Sequence, residues 1–173
     1  MSVQAKRRAD YQPPAFSIAT VDLHITLHPT QTKVISTLSV TRNGAHDSPL
    51  VLDGDNLSLD SISINSTHLS DNEYTVTDSA LSVVTELDEL VLEITNTIAP
   101  EHNKALEGLY LSGGAYCTQC EAEGFRRITY FMDRPDVLSV YTVTVVADKS
   151  VPMLLANGNP VDKGEVDENT HFV

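Results

Sequence analysis

Val21-Asp22-Leu23-His24-Ile25-Thr26-Leu27 alternates apolar and polar side chains without interruption. A period of two puts Val21, Leu23, Ile25 and Leu27 on one face of an extended strand, with Asp22, His24 and Thr26 on the other. A strand with one wet face belongs to a sheet that packs on one side only. The rhythm breaks at His28-Pro29-Thr30 and resumes with Val34, Ser36, Leu38 and Val40. Leu90, Leu92 and Ile94 repeat it against Val91, Glu93 and Thr95, and Ile98 ends the run before Pro100. Between these, residues 50–52, 57–64, 74–77 and 81–85 read as short strands, punctuated by Asp53-Gly54-Asp55-Asn56 as a hairpin turn and by Asp78-Ser79.

Nowhere do apolar residues recur at helical spacing, and residues 100–107 hold one or two helical turns at most. From Gly108 to Asp136 the texture changes, with Gly108, Gly113, Gly114, Gly124 and both cysteines. Tyr141, Val143 and Val145 restore the alternation, and residues 153–156 read as one more strand before Asn157-Gly158-Asn159-Pro160. The whole predicts an all-β fold: a sandwich or curved open-sheet stack of many short, mostly antiparallel strands with little helix. The expected organisation is a flexible N-terminal arm over residues 1–12 and one β domain over 13–173. His171-Phe172-Val173 closes the sequence as a new apolar pattern begins, which suggests a piece of something longer.

The charge balance excludes some functions. Twenty-four acidic residues against eleven Lys and Arg give a net charge of −13 among 173 residues. Phosphates and anionic lipids need cationic partners, so a nucleic-acid-binding surface is not expected. The absence of Trp, with six Tyr and four Phe, argues against a base-stacking platform. No run of 18 apolar residues occurs, so no membrane insertion is expected. Lys6, Arg7 and Arg8 have no apolar run behind them, which predicts no secretory signal and a cytoplasmic location by default.

Catalytic signatures are missing: there is no His-Glu-x-x-His, Gly-x-Ser-x-Gly or phosphate-binding loop. Cys117 and Cys120 form a Cys-x-x-Cys pair, but no second pair exists, and His24, His28, His46, His68, His102 and His171 lack zinc-finger spacing. Glu121 and Glu123 beside the pair disfavour a reactive thiolate. What remains is the Gly-flanked stretch Tyr116-Cys117-Thr118-Gln119-Cys120-Glu121-Ala122-Glu123-Gly124-Phe125-Arg126. A carboxylate held in a cleft captures an ammonium, and a neighbouring amide carbonyl accepts a second proton from it.

That stretch, with Ala105-Leu106-Glu107-Gly108-Leu109-Tyr110 before it and Asp133-Arg134-Pro135-Asp136-Val137 after it, resembles the bacterial aminopeptidase N family. Asp10-Tyr11, Ala147-Asp148-Lys149 and Asn157-Gly158-Asn159 extend the resemblance from about Asp10 to the last residue. It implies the N-terminal β domain of a gluzincin-type zinc exopeptidase, cut before a thermolysin-like catalytic domain. In such enzymes zinc is held by two His of His-Glu-x-x-His and a distant Glu, and none of that motif lies here. The resemblance therefore implies zinc in the longer protein and none bound by this piece, which alone is expected to be inactive.

By the same resemblance, Glu121 binds the free α-ammonium of a peptide substrate and Gln119 assists, with a further Glu from an absent Gly-Ala-Met-Glu-Asn motif. Glu123 ranks below Glu121, as structure more than contact. Asp133, Arg134 and Pro135 are expected to lock the start of a strand, Tyr130 and Phe131 to anchor packing, and Cys117 and Cys120 to act as half-buried spacers. The implied partners are peptides with a free N-terminus and the chain's own catalytic domain in cis. The alternative is a stand-alone, non-catalytic β-sandwich that serves as a binding or interaction module.

Overall fold

The computed structural model describes residues 7–173. Its strands are β1 (Phe16–Thr26), β2 (Thr32–Arg42), β3 (Leu50–Asp53), β4 (Ser58–Ile64), β5 (Thr67–His68), β6 (Tyr74–Val76) and β7 (Ala80–Val83). They are followed by β8 (Glu89–Ile98), β9 (Gly108–Ser112), β10 (Ala115–Gln119), β11 (Val140–Asp148), β12 (Gly164–Glu165) and β13 (Thr170–Phe172). Eight of them form one sheet in the order β12-β13-β11-β1-β2-β8-β4-β5. A three-stranded sheet, β3-β7-β6, and the hairpin β9-β10 complete the fold. All pairings are antiparallel except β1 with β11, as expected of an all-β chain. No helix among the described residues is long and apolar enough to cross a membrane.

The apolar residues of the alternation that starts at Val21 form the inner face of β1. Val21, Leu23 and Ile25 are buried, as are Val34, Leu38 and Val40 of β2 and Leu90, Leu92 and Ile94 of β8. Leu50, Leu52, Leu81 and Val83 join the same apolar cluster from the three-stranded sheet, so the two sheets sandwich one core. Burying each of these side chains contributes about 1.5–3 kcal/mol. β1 begins five residues earlier than its clean alternation. Phe16 and Ile18 are also buried, but a bulge between Ile18 and Thr20 shifts the phase before Val21.

Other expectations need correction. Asp53-Gly54-Asp55-Asn56 is a turn but closes no hairpin, because β3 pairs with β7 while β4 lies in the large sheet. Residues 153–156 form no strand; Pro152 lacks an N–H to donate, and Met153 and Leu155 project outward. The chain instead returns to the sheet edge through β12 and β13. The helical potential at 100–107 is realised as the single 3-10 turn Pro100–His102. In the segment assigned to an arm, residues 1–6 lie outside the described residues. Further on, Tyr11 donates a hydrogen bond to Asp136, and the Gln12 carbonyl accepts one from Arg134.

Candidate functional site

The stretch singled out as a loop begins as a strand. Gly113 and Gly114, both at positive φ (57° and 85°), make the tight turn between β9 and β10, a backbone geometry that side chains with a Cβ resist. β10 ends at Gln119, and residues 120–124 form a turn. The Gly124 N–H donates to the Cys120 carbonyl at 2.8 Å, and the Gln119 side-chain amide donates to the Glu121 carbonyl at 3.1 Å. A Cβ on Gly124 would sit 2.4 Å from the Gln119 carbonyl oxygen, so only glycine lets the turn close. The Glu121–Ala122 peptide is cis.

Behind the turn, the 3-10 segment Phe125–Arg127 is fastened from several directions. Arg126 lies 3.0 Å from the Asp133 carboxylate, 3.4 Å from Glu123 and 3.6 Å from Asp53. Burial alone would lower the affinity of the Arg126 guanidinium for its proton, but the Asp133 hydrogen bond and the charges of Asp53, Asp133 and Glu123 raise it overall. The Asp133 N–H donates to the Asp53 carboxylate at 3.1 Å, and the Asp55 N–H to the Arg126 carbonyl at 2.9 Å. Arg127 pairs with Asp55 at 2.6 Å and Glu107 at 3.2 Å. Just downstream, the buried Asn96 amide donates to the Ile128 carbonyl, and Ser36 and Thr129 share a buried hydroxyl contact at 3.0 Å. Phe125 packs edge-on against Phe131 and Tyr141, with ring centroids 5.1 and 5.8 Å away. The segment that follows the turn is thereby clamped to both sheets.

On this platform the Glu121 side chain is exposed, and among the described residues its carboxylate has no hydrogen-bond or ion-pair partner. Gln119, exposed two residues earlier, uses its amide nitrogen on the Glu121 main chain, and among the described residues its amide oxygen has no partner. Glu123 is held by Arg126 and belongs to the support. Asp133 does not open a strand, since β11 begins at Val140; it clamps Arg126, while Arg134 pairs with Asp136 at 2.7 Å. Tyr130 and Phe131 are buried anchors. Both cysteines are free and half-buried, and the Cys120 thiol is pushed up by burial first and the charge of Asp133 second, rather than by the adjoining glutamates.

Sequence reasoning read Asp53 and Asp55 as turn residues only, and left Arg127 and the hub role of Arg126 unassigned. Adjacent arginines in a chain this acidic, followed by Asp133 at a distance of seven residues, were the available signal.

Residues 10–173 match the Peptidase M1 N-terminal domain. The chain belongs to that family. Over 169 residues the M1 domain is 52% identical to aminopeptidase N of Caulobacter vibrioides, covering 98% of this chain and 20% of the relative. Aminopeptidase A of Legionella pneumophila, solved in complex with aspartic acid, superposes with a TM-score of 0.88 at 33% identity, over 96% of this chain and 20% of that one. An M1 zinc metallopeptidase from Deinococcus radiodurans shares the fold at TM-score 0.75 and 19% identity, over 92% of this chain and 38% of that one. The M1 domain thus spans about a fifth of the length of the aminopeptidases it matches. Zinc does not fit the residues present: His-Glu-x-x-His is missing, and among the described residues no three His, Cys, Asp or Glu side chains cluster to hold a metal.

Proposed function

We propose that this chain is the substrate-recognition domain of a zinc aminopeptidase, an enzyme that removes N-terminal residues from peptides. In this reading Glu121 takes the α-ammonium of the substrate, and the Gln119 amide oxygen accepts a second of its protons. The zinc and its ligands belong to a catalytic domain outside this chain, and the chain alone does not hydrolyse peptides. Membership of the M1 family and the aminopeptidase names of its relatives support the enzyme class.

The observation that carries the assignment is the isolation of one carboxylate in a fastened turn. Cys120, Glu123 and Gly124 are occupied within the turn or by Arg126, while Glu121 is left unpaired at its exposed side. An unpaired anion on a rigid support is what capture of a small cation requires, because little ordering remains to be done on binding. An exopeptidase must also refuse internal peptide bonds. Anchoring a charged terminus at a fixed distance from the scissile carbonyl does so.

Removing one partner of a desolvated charge pair costs about 2–5 kcal/mol, or roughly 30-fold to several thousandfold in the relevant constant. Glu121→Ala in the full-length enzyme should therefore lower kcat/KM for an unblocked alanyl chromogenic amide by that factor. Kinetics within about twofold of wild type would refute the assignment.

A further inference from the structure

We infer that Leu106 is a specificity-determining residue, which meets the first side chain of the substrate when that side chain is long and apolar. The inference rests on the reading that Glu121 holds the α-ammonium of a peptide. Among the described residues, four other than glycine take a positive φ: Asn56, Asn65, Ser66 and Leu106, the last at 58°. Asparagine visits this region readily, whereas a bulky aliphatic side chain is an outlier there. Strain of this kind persists only where the surroundings impose it, and it gathers at ligand-binding positions.

Three observations carry the assignment. First, the surroundings do impose the strain. The Asn103 side-chain amide donates to the carbonyls of Glu107 at 2.7 Å and Leu109 at 2.9 Å, and its oxygen accepts the Ala105 N–H at 3.1 Å. Glu107 in turn pairs with Arg127 at 3.2 Å. Leu106 is thus bracketed on both sides by bonds that its neighbours make. Second, what is held there is an apolar side chain in water, 56% exposed. A cavity of about 260 Å³ is lined by its neighbours Lys104 and Ala105 and by the apolar Ile98, Ala99 and Leu109, but not by Leu106. A leucine placed for packing would fill that space. Third, the segment is pressed onto the recognition turn. Gly108 faces Gln119 in the β9-β10 ladder. A Cβ on Gly108 would sit 3.1 Å from the Gly124 carbonyl oxygen, and one on Gly124 would sit 3.1 Å from the Gly108 nitrogen. Two residues span at most about 7 Å and paired Cα atoms lie about 5 Å apart. The Leu106 Cα therefore stands within about 12 Å of the Gln119 Cα, a gap bridged by their side chains with one substrate residue between them. An exposed carboxylate for the ammonium and an exposed leucine for the side chain suit peptides that begin with a long apolar residue.

Kinetics of the full-length enzyme on leucyl and alanyl chromogenic amides test this through a ratio. Leu106→Asn removes the apolar contact and installs a residue that tolerates positive φ. It should lower kcat/KM for the leucyl amide relative to the alanyl amide by about tenfold, and Leu106→Met should keep most of the wild-type ratio. A ratio unchanged within about twofold would overturn the inference. So would a loss shared equally by both substrates, because a merely structural leucine weakens both alike. A Leu106→Met enzyme as unselective as Leu106→Asn would also count against it. Glu121→Ala acts on the ammonium that both substrates carry and should leave the ratio in place. A shifted ratio in Leu106→Asn with a silent Glu121→Ala would sink only the ammonium assignment, and a fixed ratio with a crippled Glu121→Ala only the role of Leu106. An enzyme that cleaves neither amide would overturn both.

Discussion

The side-chain amide of Gln119 donates to the main-chain carbonyl of Glu121 at 3.1 Å, so the last residue of β10 orients the residue two positions beyond it. A substitution at Gln119 therefore acts on both candidate substrate contacts, whereas one at the Glu121 side chain leaves this main-chain bond in place.

Gln119→Ala removes the proposed acceptor for the ammonium and the strut that holds the Glu121 main chain. A net hydrogen bond contributes about 0.5–1.5 kcal/mol, or roughly two- to tenfold. KM for unblocked substrates should rise by that factor, less than the effect of Glu121→Ala. A Gln119→Ala enzyme as impaired as Glu121→Ala would reverse the ranking of the two residues.

Among the described residues, Arg126 is the one cation within ion-pair distance of Asp53, Asp133 and Glu123. Arg126→Ala leaves three carboxylates facing one another, and losing its charged hydrogen bonds should cost about 2–3 kcal/mol. For a chain of this size that lowers the melting temperature by roughly 4–12 °C. Arg126→Lys should recover little, because an ammonium cannot reproduce the planar fork that meets both the carboxylate and the carbonyl of Asp133. Thermal unfolding of the two variants measures this directly.

Gly124→Ala forces a methyl to within 2.4 Å of the Gln119 carbonyl and 3.0 Å of the Cys120 Cα. Both obstacles are main chain and cannot swing aside, so the turn must open. Recognition of free amines should fall at least about tenfold, with little change in far-UV circular dichroism, because residues 120–124 make no hydrogen bond to the eight- or three-stranded sheet among the described residues. Wild-type kinetics in this variant would show that the closed turn is dispensable.

Asp136 accepts hydrogen bonds from Arg134 and from the Tyr11 hydroxyl, and its carboxyl is pushed down to about 2, with Arg134 as the leading cause. A depressed carboxyl contributes stability that is complete above its unfolded value of 3.8 and is lost as the pH falls through about 2. The pair lies at the surface, so the effect stays under about 1 kcal/mol. Asp136→Asn should flatten the acid limb of stability between those two pH values and expose residues near Tyr11 to proteases. An acid limb identical to wild type would place the contribution elsewhere.

The layered core was readable because burial on one face imposes strict alternation, as in Val21 to Leu27 and Leu90 to Ile94. Where a bulge shifts the phase, as before Val21, the same signal fails, and β1 looked five residues too short. β12 and β13 are too brief to carry a period and exist through pairing with β11. Glu121 and Gln119 stood out through their family resemblance. The support did not, since Asp53 and Asp133 meet Arg126 only after two sheets have packed, and local sequence does not encode that meeting.

Glu121 is proposed to act through its charge, so the decisive variant removes the charge and keeps the shape. In the full-length enzyme, inhibition by alaninamide and by propanamide, which differ only in the α-amino group, should be compared for wild type and Glu121→Gln. Wild type should prefer the amine strongly, and Glu121→Gln should lose about 30-fold or more of this preference while binding propanamide as before. An amine preference unchanged within about twofold would contradict it and would leave Glu121 an exposed acid on a well-fastened turn.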